Sequence, residues 1–213
     1  MILPDWIASS PWFRRGLQAA AVVVVIAIIG GASWAWWRSK EAQGLAALSA
    51  ATEIVDQAQS PQANPEVKDK AIKALESLLA EYPRLSAAPQ VAYQIGNLKY
   101  SIGQYIPARS AYELALAKGA SGSVQTLCRL GIGYTWEGEK NYAGAISAYE
   151  AALKALTARD FLYDEILMSE ARAQELGGKP GAAIEIYQRL LKEAPTGRYA
   201  DDLKNRIASL QSR

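Results

Sequence analysis

Apolar positions recur along this chain in one pattern: a small residue, a bulky apolar residue four positions on, and another apolar residue three positions beyond. Spacings of four and three place all three residues on one face of an α-helix. The pattern begins at Ala71, Ala108, Ala145 and Ala183, with starting points 37, 37 and 38 residues apart. A near-constant period of this length predicts stacked helical hairpins, because a single hairpin leaves its apolar face uncovered.

The same periodicity predicts the extent of each helix. Paired helices are expected over residues 88–102 and 105–118, 122–138 and 142–157, and 161–177 and 180–193. Earlier helices are expected over residues 41–59 and 66–81, and a final one over residues 199–211. Leu203, Ile207 and Leu210 share one face of that final helix, so we expect it to cap the last pair rather than bind a partner. No segment alternates as a β-strand does, so the predicted fold is all-α.

A continuous apolar run lies ahead of the repeats. Residues 17–37 contain only two polar side chains, and as a helix they would extend about 31 Å, close to the thickness of a bilayer's hydrocarbon core. Tryptophan and basic residues flank the run, as is typical of a transmembrane helix. The alternative is a signal peptide cleaved at Ala32 or Ala35, although the neighbouring indoles fit cleavage poorly. The expected organisation is a tail (1–16), a transmembrane helix (17–37), a membrane-proximal helix and loop (38–64) and a repeat domain (65–213).

Composition excludes several classes of function. The chain has 23 Lys and Arg against 21 Asp and Glu, with no long run of either sign, so nucleic acid is not an expected partner. Histidine is absent and Cys128 is the single cysteine, which excludes His-based catalytic triads and the usual zinc sites within one chain. Cys128 is expected to be a buried apolar residue, with a reactive thiol as the alternative. We therefore expect no enzymatic activity, no metal and no cofactor.

At the repeated positions the chain resembles the tetratricopeptide repeat, whose consensus sets small residues, glycines and aromatic residues at fixed offsets. The matching units cover residues 89–122, 124–159 and 164–197, after a degenerate unit over about residues 52–85. The second of these is expected to hold two additional residues between Gly138 and Tyr142. Small residues of the first helices are expected to face those of the second: Gly96, Gly131 and Ala171 against Ala108, Ala145 and Ala183. The implied fold is a tetratricopeptide-repeat solenoid with a C-terminal capping helix.

This resemblance implies a concave surface lined by the first helix of each pair, where such stacks bind extended peptides. The residues predicted to be exposed there are Tyr93, Asn97, Tyr100, Gln125, Thr135, Trp136, Met168, Arg172 and Glu175. Aromatic side chains beside a few hydrogen-bonding groups suit recognition of a peptide. The alternative is that Tyr93 and Trp136 merely pack between repeats.

Over nearly its full length the chain resembles the YfgM-like family of bacterial inner-membrane proteins. The resemblance lies in the order of a short tail, one span ending in Trp-Ala-Trp-Trp-Arg, an alanine-rich helix and repeats to the C-terminus. It implies a single-pass protein whose repeats face the periplasm and associate with the SecYEG translocon and periplasmic chaperones. Charge does not decide this topology, since Arg14 and Arg15 before the span balance Arg38 and Lys40 after it.

The expected function is therefore that of a membrane-anchored adaptor for protein partners, which assists translocon and chaperone handling of envelope proteins. Residues 17–37 would contact membrane lipid. The alternative is a structural accessory subunit that stabilises a larger membrane protein complex.

Overall fold

The computed structural model describes residues 11–60, 62–154, 156–197 and 199–212, and these fold into nine α-helices without a β-strand. The helices are α1 (Pro11–Gln59), α2 (Pro65–Glu81), α3 (Ala88–Ser101), α4 (Tyr105–Ala117), α5 (Gly122–Gly138), α6 (Tyr142–Leu153), α7 (Tyr163–Leu176), α8 (Pro180–Glu193) and α9 (Ala200–Gln211). The all-α prediction is confirmed for these residues. The first ten residues of the predicted tail lie outside them, and α1 begins within the rest of that tail.

The first helix is longer than the sequence pattern predicts. α1 runs for 49 residues without interruption, so it joins the predicted transmembrane segment to the membrane-proximal helix. Apolar side chains are exposed all along residues 17–37, whereas Val55 and Ala58 near its C-terminal end are buried where α1 packs on α2. A helix segment that is apolar all round and uncovered requires another apolar environment, either lipid or a partner helix.

Within the described residues, one helix has the length and composition of a membrane span. It lies within Leu17–Gln59, where an 18-residue window has a mean hydropathy of 2.1 and is 0% buried. A secretory signal sequence near an N-terminus meets the same criteria. The finding therefore defines a candidate span.

The remaining helices stack in the order of the sequence. α3 pairs with α4, α5 with α6 and α7 with α8, and each helix also packs on the next one along the chain. The first helices α3 and α5 contact each other directly, as expected in a curved stack with first helices on the inner side. α9 packs on α8 with Leu203 and Leu210 buried, as predicted for a capping helix.

Local signals mark where several helices begin. Asn64 precedes α2, and its side-chain oxygen accepts a hydrogen bond from the N–H of Glu66 at 3.0 Å. Asn141 does the same for Gly144 at the start of α6, at 2.9 Å. Such caps satisfy N–H groups that have no partner within the helix. The paired helices of the stack are thus separated by turns that the local sequence encodes.

The small residues of the repeat pattern have two different roles. Ala71, Ala108, Ala145 and Ala183 are each 0% exposed, which confirms that the repeated face is the buried face. The sequence pattern set the first-helix glycines opposite these alanines, and the atoms nearest to an added Cβ at Gly96 or Gly131 are those of a tyrosine ring.

The ring of Tyr112 lies between the first helices of two successive pairs. A Cβ atom at Gly96 would lie 2.5 Å from Tyr112 Cε1, and one at Gly131 would lie 2.6 Å from Tyr112 Cζ. Tyr149 packs in the same way on Gly133, where a Cβ would lie 2.1 Å from Cε1. The glycines therefore leave room for aromatic rings, and Gly131 lets the Tyr112 ring of one pair reach the next pair.

The turns between paired helices set the register of the repeats. The backbone φ angle is positive at Gly103 (77°), Lys140 (58°) and Gly178 (76°). Each of these residues donates its N–H to the carbonyl three residues earlier, at 2.9, 2.8 and 3.0 Å respectively. Lys140 therefore corresponds to Gly103, and the second pair contains no insertion before Tyr142. Gly138 instead packs against the ring of Tyr105. A Cβ atom added at Gly138 would lie 2.6 Å from Tyr105 Cζ.

Candidate functional site

The first helices bring equivalent residues to one side of the stack. Asn97, Tyr134 and Arg172 each precede a positive-φ turn residue by six positions. Tyr100, Glu137 and Glu175 precede the same turns by three positions. Positions three apart are neighbours on a helix surface. We call these six residues the first-helix face.

A connected row of tyrosine rings crosses this face. The ring centroid of Tyr100 lies 5.6 Å from that of Tyr105 and 6.3 Å from that of Tyr134. The Tyr134 ring lies 6.0 Å from that of Tyr149 in an edge-on arrangement. Aromatic pairs attract at such separations. Tyr100 is 36% exposed, so this end of the row is accessible at the surface.

The carboxylate of Glu137 joins the second and third pairs at the centre of the face. It accepts hydrogen bonds from Arg172 Nε at 3.1 Å and Nη2 at 3.0 Å, and one from the Tyr149 hydroxyl at 2.6 Å. Burial, and then the hydrogen bond to Glu137, raises the pKa of Tyr149, so its phenol remains a donor. The two-pronged contact fixes Arg172 near the Tyr134 ring, 6.0 Å from its centroid.

The other polar groups of the face are also engaged. The Tyr134 hydroxyl donates to Glu165 Oε1 at 3.0 Å, and Arg206 Nε on α9 donates to Glu175 Oε2 at 2.9 Å. Arg172 and Arg206 thus each stand against a glutamate. The opposite charges on this surface balance each other, so it offers little attraction to a strongly charged ligand.

Seven of the nine predicted site residues lie on first helices and are half-buried or exposed. Tyr93 is half-buried with its ring 5.9 Å from that of Tyr112, and Asn97 Oδ1 accepts a hydrogen bond from the Tyr112 hydroxyl at 2.8 Å. Like Asn97, the residues Tyr100, Arg172 and Glu175 belong to the first-helix face. Met168 on α7 and Gln125 in the first turn of α5 are half-buried. Binding of a partner by these residues stays a prediction.

The predicted exposure of Thr135 on this face is wrong, and Trp136 is half-buried and packs between repeats, as the alternative interpretation expects. Thr135 is 0% exposed and donates its hydroxyl to the carbonyl of Ile132 at 2.7 Å. The Trp136 ring lies 3.4 Å from the guanidinium carbon of Arg109 on α4 and packs on Gly144 of α6. The cause is the insertion assumed after Gly138, which shifted the predicted register of α5.

Tyr134 and Glu137 of the face are not among the predicted site residues, although the repeat period indicates them. Adding the period of 37 residues to Asn97 and Tyr100 leads to Tyr134 and Glu137. Glu165 and Arg206 carry no such signal, because neither occupies a repeated consensus position. Their contacts arise only when the third pair and the capping helix stack on the second pair.

Comparison with known families agrees with this geometry. The family model of the tetratricopeptide repeat matches residues 166–197, which contain most of α7 and all of α8. No curated protein matches the chain. The match and the all-α stack support a tetratricopeptide-repeat protein, and such repeats point to a general role in protein–protein interaction. Membership of the YfgM-like family stays a prediction.

Proposed function

We propose that this chain is a membrane-anchored adaptor that binds protein or peptide partners on its first-helix face and holds them close to the bilayer. The observation that carries the proposal is the continuity of α1. One uninterrupted helix leads from an exposed apolar segment of membrane-spanning length into the packed repeat stack. No catalytic step is part of the role.

Rigid packing at the start of the stack supports this reading. Glu41 accepts a hydrogen bond from the backbone N–H of Ser86 at 3.1 Å, which ties α1 to the loop before α3. At Gly44 a Cβ would lie 2.8 Å from Leu85 Cδ1, so helix and loop are in close contact. A continuous helix that is packed beyond the span holds the repeats in a fixed orientation to the membrane. A partner on the first-helix face would therefore be presented at a defined height and angle.

The resemblance to the YfgM-like family suggests which partners to test. We propose that the repeats lie outside the cytoplasm and bind the translocon, periplasmic chaperones or emerging envelope proteins. A reporter that fluoresces only in the cytoplasm and one active only in the periplasm, each fused after Arg213, test this placement. Cytoplasmic activity of the fusion would overturn the proposed partners. A mature protein that lacks residues 1–32 or 1–35 would overturn the anchor.

Photo-crosslinking tests the proposed binding face. A photoreactive amino acid replaces Tyr100 (36% exposed) in the full chain, and Leu114 on α4 (41% exposed) is the matched control. We expect discrete crosslinked protein species from position 100 that exceed those from position 114. Equal yields from both positions, or crosslinks only to lipid and to the protein itself, would refute the assignment of the face.

The second candidate function is that of a fixed accessory subunit in a larger membrane complex. Its support is an open surface on α1, where a Cβ at Gly30 or Gly31 would meet nothing within 4 Å. Together with Ala27, four residues before Gly31, this surface permits close approach of a neighbouring helix. Purification in mild detergent separates the two functions. Stoichiometric co-purification with one complex supports the subunit, and weak, variable partners support the adaptor.

A further inference from the structure

The loop that joins α2 to α3 lies beside the end of the candidate span. Besides its contact with the Ser86 N–H, Glu41 accepts a hydrogen bond from the Ser86 hydroxyl. The Lys40 ammonium lies 5.7 Å from the centroid of the Tyr82 ring. These contacts hold residues 82–86 against the first turns of α1 that follow the predicted membrane segment.

A cavity of about 320 Å³ lies at this junction, within the size range of small-molecule sites. Three aromatic residues contribute to its walls, namely Trp36, Trp37 and Tyr82. Two basic residues, Lys40 and Arg84, and two acidic residues, Glu41 and Glu81, also line it. The cavity is therefore amphipathic and balanced in charge.

Arg84 lies at the level of the span's last turns. Besides the cavity, it lines a neighbouring depression together with Ala32, Ser33 and Trp34. If residues 17–37 cross the hydrocarbon core, Arg84 lies in the layer of lipid headgroups, where tryptophans also concentrate. Arg84 is exposed, and none of the ion pairs among the described residues includes it. Its five N–H donors are thus available to a ligand.

We propose that this junction binds the headgroup of a zwitterionic aminophospholipid. The proposal rests on the membrane anchoring proposed above. The guanidinium of Arg84 and the ammonium of Lys40 would hold the phosphate, since arginine matches phosphate oxygens in a two-pronged contact. Glu81 and the aromatic rings would hold the lipid ammonium. The balance of charge favours a zwitterion. An anionic headgroup would place its phosphate near Glu81 and supply no ammonium group to pair with that carboxylate.

Lipid titration of the full chain in mild detergent tests the site. Native mass spectrometry counts retained phosphatidylethanolamine and, separately, phosphatidylglycerol, for the wild type and for Arg84→Gln. Lys70→Gln is the control, because Lys70 is an exposed cation on α2 that does not line the cavity. Loss of a charge-assisted hydrogen bond predicts about tenfold weaker retention of phosphatidylethanolamine by Arg84→Gln and wild-type retention by Lys70→Gln.

A second variant tests which headgroup the site selects. Glu81→Gln should lower the preference for phosphatidylethanolamine over phosphatidylglycerol. Equal retention by the Arg84→Gln and Lys70→Gln variants would overturn the site. Tighter binding of phosphatidylglycerol than of phosphatidylethanolamine by the wild type would overturn the choice of a zwitterion.

Flotation with liposomes distinguishes failure of the site from failure of the anchor. A full chain that remains with liposomes after an alkaline wash is anchored, and unchanged lipid retention by Arg84→Gln would then refute the headgroup site alone. A chain released by the wash would refute the anchor and, with it, this proposal.

Discussion

Lys140 has a φ of 58° at the turn between α5 and α6, in the left-handed region that glycine adopts without strain. The corresponding residues of the other two pairs are Gly103 and Gly178. The Lys140 side chain is exposed, and no described hydrogen bond or ion pair involves its ammonium group. We predict that Lys140→Gly stabilises the protein, because it removes backbone strain without removing a contact.

The magnitude follows from two opposing effects. A left-handed conformation costs an L-residue about 1–2 kcal/mol, while the greater freedom of glycine in the unfolded chain offsets about 0.5–1 kcal/mol. The hydrogen bonds of the turn use backbone atoms only, from Lys140 N to Glu137 O (2.8 Å) and from Asn141 N to Trp136 O (2.9 Å), so both persist. The expected net gain in the free energy of unfolding is about 0.5–1 kcal/mol.

Urea unfolding of the full chain in mild detergent, followed by circular dichroism of the helices, measures this gain. Lys140→Ala is the matched control, because alanine removes the side chain but keeps the Cβ atom that causes the strain. Gly103→Lys is the reverse change and should lower stability by a similar amount, about 0.5–1 kcal/mol. A Lys140→Gly variant no more stable than Lys140→Ala would refute the reasoning.

Three further predictions concern the core of the stack. Gly131→Ala should destabilise the protein by about 1–3 kcal/mol through overpacking, since the new Cβ would lie 2.6 Å from Tyr112 Cζ. Gly181→Ala is the control, because nothing lies within 4 Å of a Cβ there, and an equal effect of the two substitutions would contradict the prediction. Cys128 is 0% exposed and burial raises its pKa to about 11, so a thiol reagent should modify it only when the chain unfolds. Rapid labelling of the native chain would contradict this prediction. Burial, and then repulsion from Glu150, raises the pKa of Glu170 despite the opposing effect of Arg189. The folded state therefore binds this proton more tightly than the unfolded state does. As pH rises through this pKa, the contribution of Glu170 to the free energy of unfolding falls. Glu170→Gln should therefore stabilise at neutral pH, with a gain that disappears in acid; a gain independent of pH would disprove the cause.

The sequence by itself determined the helical pairs and most of their ends. The 37-residue period, the buried alanines such as Ala108, and the turn at Gly103 are local patterns that need no tertiary information. In a stack of repeats each helix packs mainly on its neighbours in the sequence. A local pattern therefore carries nearly all of the information needed for the overall arrangement, and the predicted all-α fold and capping helix follow from it.

Only the tertiary structure decided the register of α5 and, with it, the composition of the first-helix face. Residues between Gly138 and Tyr142 fit two alignments with the consensus, and the left-handed turn at Lys140 selects one of them. That choice turns Trp136 towards the second helices and brings Glu137 to Arg172, 35 residues away.

Packing between distant segments likewise decided the membrane-proximal junction. The sequence pattern predicts two separate helices in this region, over residues 17–37 and 41–59. The structure continues the helix and brings Arg84 and Trp36 to the walls of one cavity, although the two are far apart in the chain. The meeting of Arg84 and Trp36 at one cavity has no local signal, because it depends on the packing of several helices rather than on the spacing of residues along one of them.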